Sequence, residues 1–259
     1  MSRGAFNRAD GTTIQAVENA VDIVETLEEL DGSTPTELAR TVDMPRSTVH
    51  VYLRTLSQYG YVVERDGTYQ TGLRFLTHGG LARANFEIHR AATAEVDRLA
   101  VETGELSDLG VEQNGMRVLL YKAETEHAVY DNVVTGEFTH MHWTALGKAL
   151  LAWTPEETVS EIVESNGLPR ATETTITDPN ELLEELDRTV ERGYAIGDEE
   201  RRRGITSIGV PILDDETQTA VAALSVAGPR SRILNGDVDA IVEELEHSAN
   251  VVELRYNHY

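Results

Sequence analysis

Residues 44–63, MPRSTVHVYLRTLSQYGYVV, run without one Asp or Glu in a chain of 259 residues whose formal net charge is -23. Within this run Val49, Leu53 and Leu56 recur at i, i+4 and i+7, the spacing of one buried helix face, which predicts a helix from Pro45 to about Tyr59. The same register turns Arg46, Ser47, Thr48, His50 and Arg54 outward. Cations, hydroxyls and an imidazole on one surface suit phosphates and base edges.

The surroundings of this helix give it a place in a fold. An amphipathic helix is predicted over about Thr13–Leu30, with Val17, Val21, Val24 and Leu27 on its buried side and Asp31-Gly32 as its stop. Thr34-Pro35-Thr36-Glu37 then has the form of a capping box: Thr34 caps the next helix, Pro35 opens it, and Glu37 reaches back. That helix, about Pro35–Val42, is short and breaks at Asp43-Met44. After Gly60, two β-prone runs, Tyr61–Arg65 and Thr68–Thr71, flank Asp66-Gly67, a strong hairpin signal. Three helices and a hairpin in this order describe a winged helix-turn-helix, whose third helix enters the major groove while the hairpin lies near the backbone or minor groove. Arg65, closing the first hairpin strand, joins the candidate DNA-binding set. A three-helix scaffold with an incidental hairpin is the alternative.

From Leu73 to about Gly104 the chain reads as helical, with a break near Gly79-Gly80 or Asn85. Beta-like runs follow at Leu106–Glu112, Met116–Ala123 and Ala128–Val134, then helices at Thr144–Trp153 and Pro155–Ser165. A helix over Pro179–Arg192, strands near Tyr194–Ile196, Ile205–Leu213 and Ala220–Val226, and a last helix from Asp237 to about Tyr256 complete the pattern. The expected organisation is α+β: a winged helix-turn-helix over residues 1–72, a linker helix over 73–85 and a mixed sensor domain over 86–259.

Charge divides along the same boundary. Residues 1–84 carry eight Arg and eleven Asp or Glu, a net of -3; residues 85–259 carry 14 basic and 34 acidic residues, a net of -20. Only Lys122 and Lys148 are lysine. Acid spread over the whole chain with lysine so depleted points to adaptation to multimolar salt. No Cys is present, which excludes disulfides, thiolate metal sites and cysteine nucleophiles. No apolar run reaches membrane-spanning length and the opening MSRGAFNRADGTT lacks the apolar centre of a signal peptide, so a cytoplasmic protein is expected.

Three segments resemble the IclR family of transcriptional regulators, a resemblance that covers the chain from about Ile14 onward. They are PRSTVHVYLRTL at Pro45–Leu56 with GYVVERDGTYQTGLRFL behind it, HMHWTALGKALLA at His140–Ala152, and ERGYAIGDEERRRGITSIGVPI followed by AALSVAGPRSRI at Ala222–Ile233. The resemblance implies a winged helix, a linker helix and a GAF-like effector domain. It also implies a dimer or tetramer that binds double-stranded operator DNA and answers to a small metabolite, often a carboxylate or aromatic acid, with no cofactor. The family's DNA-reading positions fall on Arg46, Ser47, Thr48 and His50, with Arg54 one turn on; Val51 departs from the pattern, since members commonly place Arg there. The effector pocket is implied at Ala145, Leu146, Asp198, Ser207, Ser225 and Ala227. Gly147 would allow close approach and the helix amides would receive an anion. Family members that bind small acids often have Cys at position 207 and Ser at position 227, so the change to Ser207 and Ala227 points to a less polar or larger ligand.

Other side chains are read against these. His127, His140 and His142 suggest a metal site, but no acidic or Cys partner stands at a telling spacing; packing at the pocket edge is the better reading, with His142 counted among the effector-binding residues. Lys148 is structural or ligand-adjacent rather than a catalytic amine. The run from Asp198 to Arg203 reads as a solvated loop whose first residue faces the pocket, and Trp143 as core beside it. The alternative function is a small-molecule-processing enzyme with an accessory DNA-binding domain, which lacks a recognisable nucleophile and base.

Overall fold

In a computed structural model of the protein, residues 12–126, 128 and 133–258 are described. The chain divides between Arg83 and Ala84 into two compact units.

The first unit contains α1 (Gln15–Glu29), α2 (Pro35–Thr41) and α3 (Arg46–Gln58), the hairpin strands β1 (Val62–Arg65) and β2 (Thr68–Thr71), and most of α4 (Arg74–Ala84). Its core is Ile23, Leu27, Leu38, Val49, Leu53 and Val62. Thr34 caps α2 by accepting from the Glu37 amide at 3.3 Å, but the Glu37 carboxylate accepts from the Ser33 hydroxyl instead of reaching back to Thr34. Asp66 and Gly67 both adopt positive φ, 52° and 79°, the backbone that a two-residue hairpin turn needs to follow the strand twist. Ser33 pairs with Tyr69 through amide-to-carbonyl bonds of 2.9 and 2.8 Å, tying the wing to the loop before α2.

One part of the first helix departs from expectation. Of the expected face only Leu27 is fully buried, Val24 being half-buried and Val17 and Val21 exposed, while α1 buries Ile23 and Thr26 as well. The apolar residues of α1 form two overlapping stripes, and contact with α2 and α3 selects the one that periodicity did not. The helical break falls at Asn85-Phe86, while Gly79 and Gly80 lie inside α4.

The second unit is built on a six-stranded sheet in the order β5-β4-β3-β8-β7-β6, antiparallel at every pairing. The strands are β3 (Leu106–Gln113), β4 (Met116–Ala123), β5 (Phe138–His140), β6 (Ala195–Asp198), β7 (Ile205–Leu213) and β8 (Ala220–Pro229). Against one face pack α5 (Glu87–Thr103) and α10 (Val238–His258), through Val96, Leu99, Leu245 and Val252 onto Leu109, Ile208, Leu224 and Val226. Alternation along the strands sends Ala223 to the opposite face, where it meets α6 (Ala145–Ala152), supported by α7 (Glu156–Asn166) and α8 (Pro179–Arg192). The short α9 (Arg230–Ile233) follows β8. Arg98 on α5 joins the two helices of the first face, donating to Glu244 at 2.6 Å and to Ser248 at 2.8 Å, while Arg255 reaches Glu95 at 3.1 Å. Most of the strand expected over Ala128–Val134 lies outside the described residues, and β5, only three residues long, had no sequence signal.

Leu53 is fully buried between the helices of the first unit. Its replacement by Ala is expected to cost about 2–5 kcal/mol, read as a lowered urea midpoint of the winged-helix transition.

Candidate functional site

The DNA-facing candidates sit where the sequence reading placed them on α3. Val49 and Leu53 fill the core, while Arg46, Ser47, His50 and Arg54 are exposed and Thr48 is half-buried. Pro45 precedes the helix with φ -57°, and the first turn carries no acid. Arg65 is exposed at the end of β1. A groove between helix and wing is lined by His50, Val51, Arg54 and Ser57 on α3 and by Glu64 and Tyr69 on the hairpin, where the Tyr69 hydroxyl donates to the Glu64 carboxylate at 3.0 Å.

The second site is a cavity of about 40 Å³ under the N-terminus of α6. Strand register creates it. Asp108, Ser225 and Gly209 lie abreast on β3, β8 and β7, and Ala227, Ser207 and Gly197 lie abreast on β8, β7 and β6. A methyl group on Gly209 or Gly197 would come within 2.9 Å of the Ala145 backbone, so the two glycines let α6 descend onto the sheet. The Ser207 hydroxyl then accepts from the Ala145 amide at 3.4 Å, and the Thr144 hydroxyl caps Gly147 at 3.0 Å.

Four expected effector residues line this cavity: Leu146, Ser207, Ser225 and Ala227. Four do not. Ala145 takes part through its amide. Gly147 faces backward; an added Cβ would lie 2.0 Å from the Met141 carbonyl oxygen, so the close approach it permits is to its own chain. His142 lies in a 3-10 turn (Met141–Trp143) and bonds the Pro169 carbonyl at 3.2 Å. Asp198 follows Gly197 on β6, and the two-residue period turns it from the cavity to the other side. There it accepts from Arg230 at 2.9 and 3.0 Å and from Thr206 at 2.8 Å. Burial works against ionisation of Asp198, but these bonds and the charges of Arg230 and Lys148 outweigh it and lower its pKa.

The charged residues of the cavity are ones the sequence reading passed over. Arg117 and Asp108 line it, with Arg201 and Arg202 from the loop after β6. That loop is therefore not simply solvated: Arg201 and Arg202, not Asp198, line the cavity, while Arg203 stays exposed against Glu173. Arg117 is 2% exposed; its Nε donates to Thr139 at 2.9 Å and its guanidinium lies 3.7 Å from Glu137. Arg201 donates to both Glu137 oxygens at 3.0 Å. A signal existed in Met116-Arg117-Val118, an arginine inside an apolar strand run. The loop is anchored by Lys148 on α6, which donates to Glu200 at 2.6 Å in a buried pair and lies 3.8 Å from Glu185. Thr175 and Thr172 donate to the Glu200 carbonyl at 2.7 and 3.1 Å.

Trp143 lines the cavity and donates to the Pro169 carbonyl at 2.9 Å. His140, closing β5, and His142, in the 3-10 turn that follows, meet edge to face at 5.7 Å. Among the described residues no cluster of three or more His, Asp or Glu is arranged to hold a metal ion; His127 lies outside them.

A winged helix on one unit and a sheet domain with a cationic cavity on the other define a helix-turn-helix transcriptional regulator with a sensor domain. Residues 16–66 match the IclR helix-turn-helix domain, and residues 81–254 match the domain described as bacterial transcriptional regulator IclR C-terminal. The chain is 34% identical to the probable HTH-type transcriptional regulator ArcR of Halobacterium salinarum, over 98% of each chain. It is 33% identical to the HTH-type transcriptional regulator BhcR of Paracoccus denitrificans, over 93% of this chain and 88% of the other. Among solved structures, the IclR of Thermotoga maritima superposes with a TM-score of 0.78 at 26% identity, covering 95% of this chain and all of that one. An IclR homologue from Microbacterium hydrocarbonoxydans, complexed with 4-hydroxybenzoate, shares the fold with a TM-score of 0.77 at 24% identity, over 92% of this chain and 98% of that one. The chain belongs to the IclR family of transcriptional regulators.

Burial lowers the His142 pKa to about 4. Its neutral form stabilises the fold fully above about pH 6.5, the unperturbed value. Between there and pH 4 the unfolded chain binds the extra proton, so stability falls with pH by up to about 3 kcal/mol and then levels off. A His142→Phe variant is expected to lack this component, seen by comparing urea unfolding of both proteins at pH 7 and pH 4.5; equal losses in the two would disprove it.

Proposed function

We propose that the protein binds operator DNA through Arg46, Ser47, Thr48, His50 and Arg54 on α3 and Arg65 on the wing, and releases or tightens that grip when a small carboxylic acid enters the cavity beneath α6. One observation supports the effector class above all. In a chain with 45 acidic and 22 basic residues, three arginines, Arg117, Arg201 and Arg202, against one carboxylate, Asp108, line a cavity that also holds Ser207 and Ser225. Such a set favours an anion, in keeping with the carboxylate class that the resemblance implies rather than the less polar ligand that Ser207 and Ala227 suggested; an entering carboxylate would share guanidinium groups that Glu137 already engages. A volume of about 40 Å³ suits an acid of a few heavy atoms; an aromatic acid such as the Microbacterium homologue holds would require the cavity to widen. The cavity binds and does not turn its ligand over, acting inside the cell without a cofactor.

For a homo-oligomer the support is apolar surface. Ile14, Val17 and Val21 around the start of α1, and Leu73, Leu76 and Leu81 in and before α4, are 47–83% exposed, more than an isolated small unit ordinarily leaves to water. A second copy is the occupant proposed for them. No helix among the described residues is long and apolar enough to cross a membrane. The net charge of -23 supports a working environment of concentrated salt.

Fluorescence anisotropy with DNA from upstream of the protein's own gene, in about 2 M KCl, tests the DNA site. An Arg46→Ala, Arg54→Ala double variant is expected to lose binding, and retention of wild-type affinity would disprove the assignment. An Arg201→Ala variant is expected to keep DNA affinity but lose at least ten-fold in its response to pyruvate, glyoxylate or acetate, about 1.4 kcal/mol, with the acid recovered unchanged. Sedimentation and thermal unfolding from dilute buffer to molar KCl should return twice or four times the monomer mass and rising stability; a monomer throughout, or a flat salt profile, would count against the oligomer and the salt adaptation respectively.

A further inference from the structure

The helix that carries the DNA-facing set has an apolar residue at the centre of its outward face. At about 100° per residue, Val49 and Leu53 each lie about 160° from Val51, on opposite sides of it. Both are fully buried, so Val51 stands opposite the buried stripe and is 66% exposed. Ser47 and Arg54 fall within about 60° of it on one flank and Thr48 and Thr55 within about 60° on the other. The valine is thus ringed by hydroxyls and a guanidinium, on the wall of the groove shared with the wing.

Nothing in the fold of the unit asks for valine here. It adds nothing to the core, and a β-branched side chain lowers helix propensity slightly relative to Ala or Arg. What valine does supply is two methyl groups held in one strongly preferred rotamer, so that docking them against a surface loses little side-chain freedom. In the major groove the one apolar group that any base presents is the 5-methyl of thymine.

We propose that Val51 packs against a thymine methyl in the major groove of the operator and is a specificity-determining residue. The inference rests on α3 being the helix that enters that groove. Adenine or cytosine in place of the thymine would turn an amino group toward the valine methyls and leave it without a partner. The contact also releases no counterion. Its contribution therefore does not decay with salt as that of a phosphate-bound arginine does, an advantage for a chain of this charge.

The test starts from duplexes selected out of a random pool by the full-length protein. Each thymine of the selected site is then replaced singly by uracil, which removes the methyl and nothing else. Affinities are measured at several KCl concentrations for wild type, Val51→Ala and Arg54→Ala. Wild type should lose about four-fold at one or more thymines, the worth of one buried methyl group. Val51→Ala, a surface change to a better helix former, should bind thymine and uracil equally at those positions. Its slope of log affinity against log salt should match wild type, while that of Arg54→Ala becomes shallower by about one. The proposal is overturned if Val51→Ala keeps the full uracil penalty at every position, or if wild type is indifferent to every uracil. A pool from which wild type selects no sequence overturns the DNA-binding reading and this inference with it.

Discussion

The sensor cavity depends on a buried ion pair. Lys148, 1% exposed on α6, and Glu200, on the loop that follows β6, meet at 2.6 Å. Glu185 on α8 stands behind them at 3.8 Å. Removing one partner of such a pair leaves a charge without compensation in a low-dielectric interior, a cost of about 3–5 kcal/mol. Burial raises the Glu200 pKa although Lys148 opposes it, so the carboxylate is held in the interior against its own desolvation. The pair fixes the loop to the helix, and with it the two arginines that the next positions of the loop contribute to the cavity.

Scarcity of cations shapes the rest of that domain. Although acid is in twofold excess, arginines converge on shared carboxylates. Glu137 is approached by both Arg117 and Arg201, Glu95 by both Arg98 and Arg255, and Asp198 by Arg230. Exposed pairs of this kind contribute little singly. Their arrangement still matters, because it decides which guanidinium groups are held at the cavity. The winged helix follows another rule: acid is kept off α3 altogether, and the core beneath it is made by six fully buried apolar residues.

The winged helix was largely legible in the sequence because its signals are local. Capping by Thr34, the Asp66-Gly67 turn and the Val49–Leu53 stripe each act within a few residues. Apart from Glu37, which bonds Ser33 rather than closing the capping box, its misreading was the buried face of α1, which arose where two apolar stripes overlap and a contact between helices decides. In the sensor domain the element types were legible over most of the chain, but the site was only half so. Leu146, Ser207, Ser225 and Ala227 followed from the resemblance and do line the cavity. Asp198 and Gly147 also followed from it, but strand alternation turns the Asp198 side chain toward Arg230, and the Gly147 backbone packs against Met141.

By itself the sequence determined most of the helices and strands, which face of α3 is polar, and that the DNA-binding unit is nearly neutral beside a strongly acidic partner. These are consequences of periodicity, capping and composition, all of them readable at short range. Only the tertiary structure decided that Arg117 and Arg201 converge, that Lys148 is buried against Glu200, and that Asp198 looks away from the cavity. Strand register between β3, β8 and β7, and the descent of α6 onto Gly197 and Gly209, join positions a hundred residues apart, and no local pattern encodes such a distance.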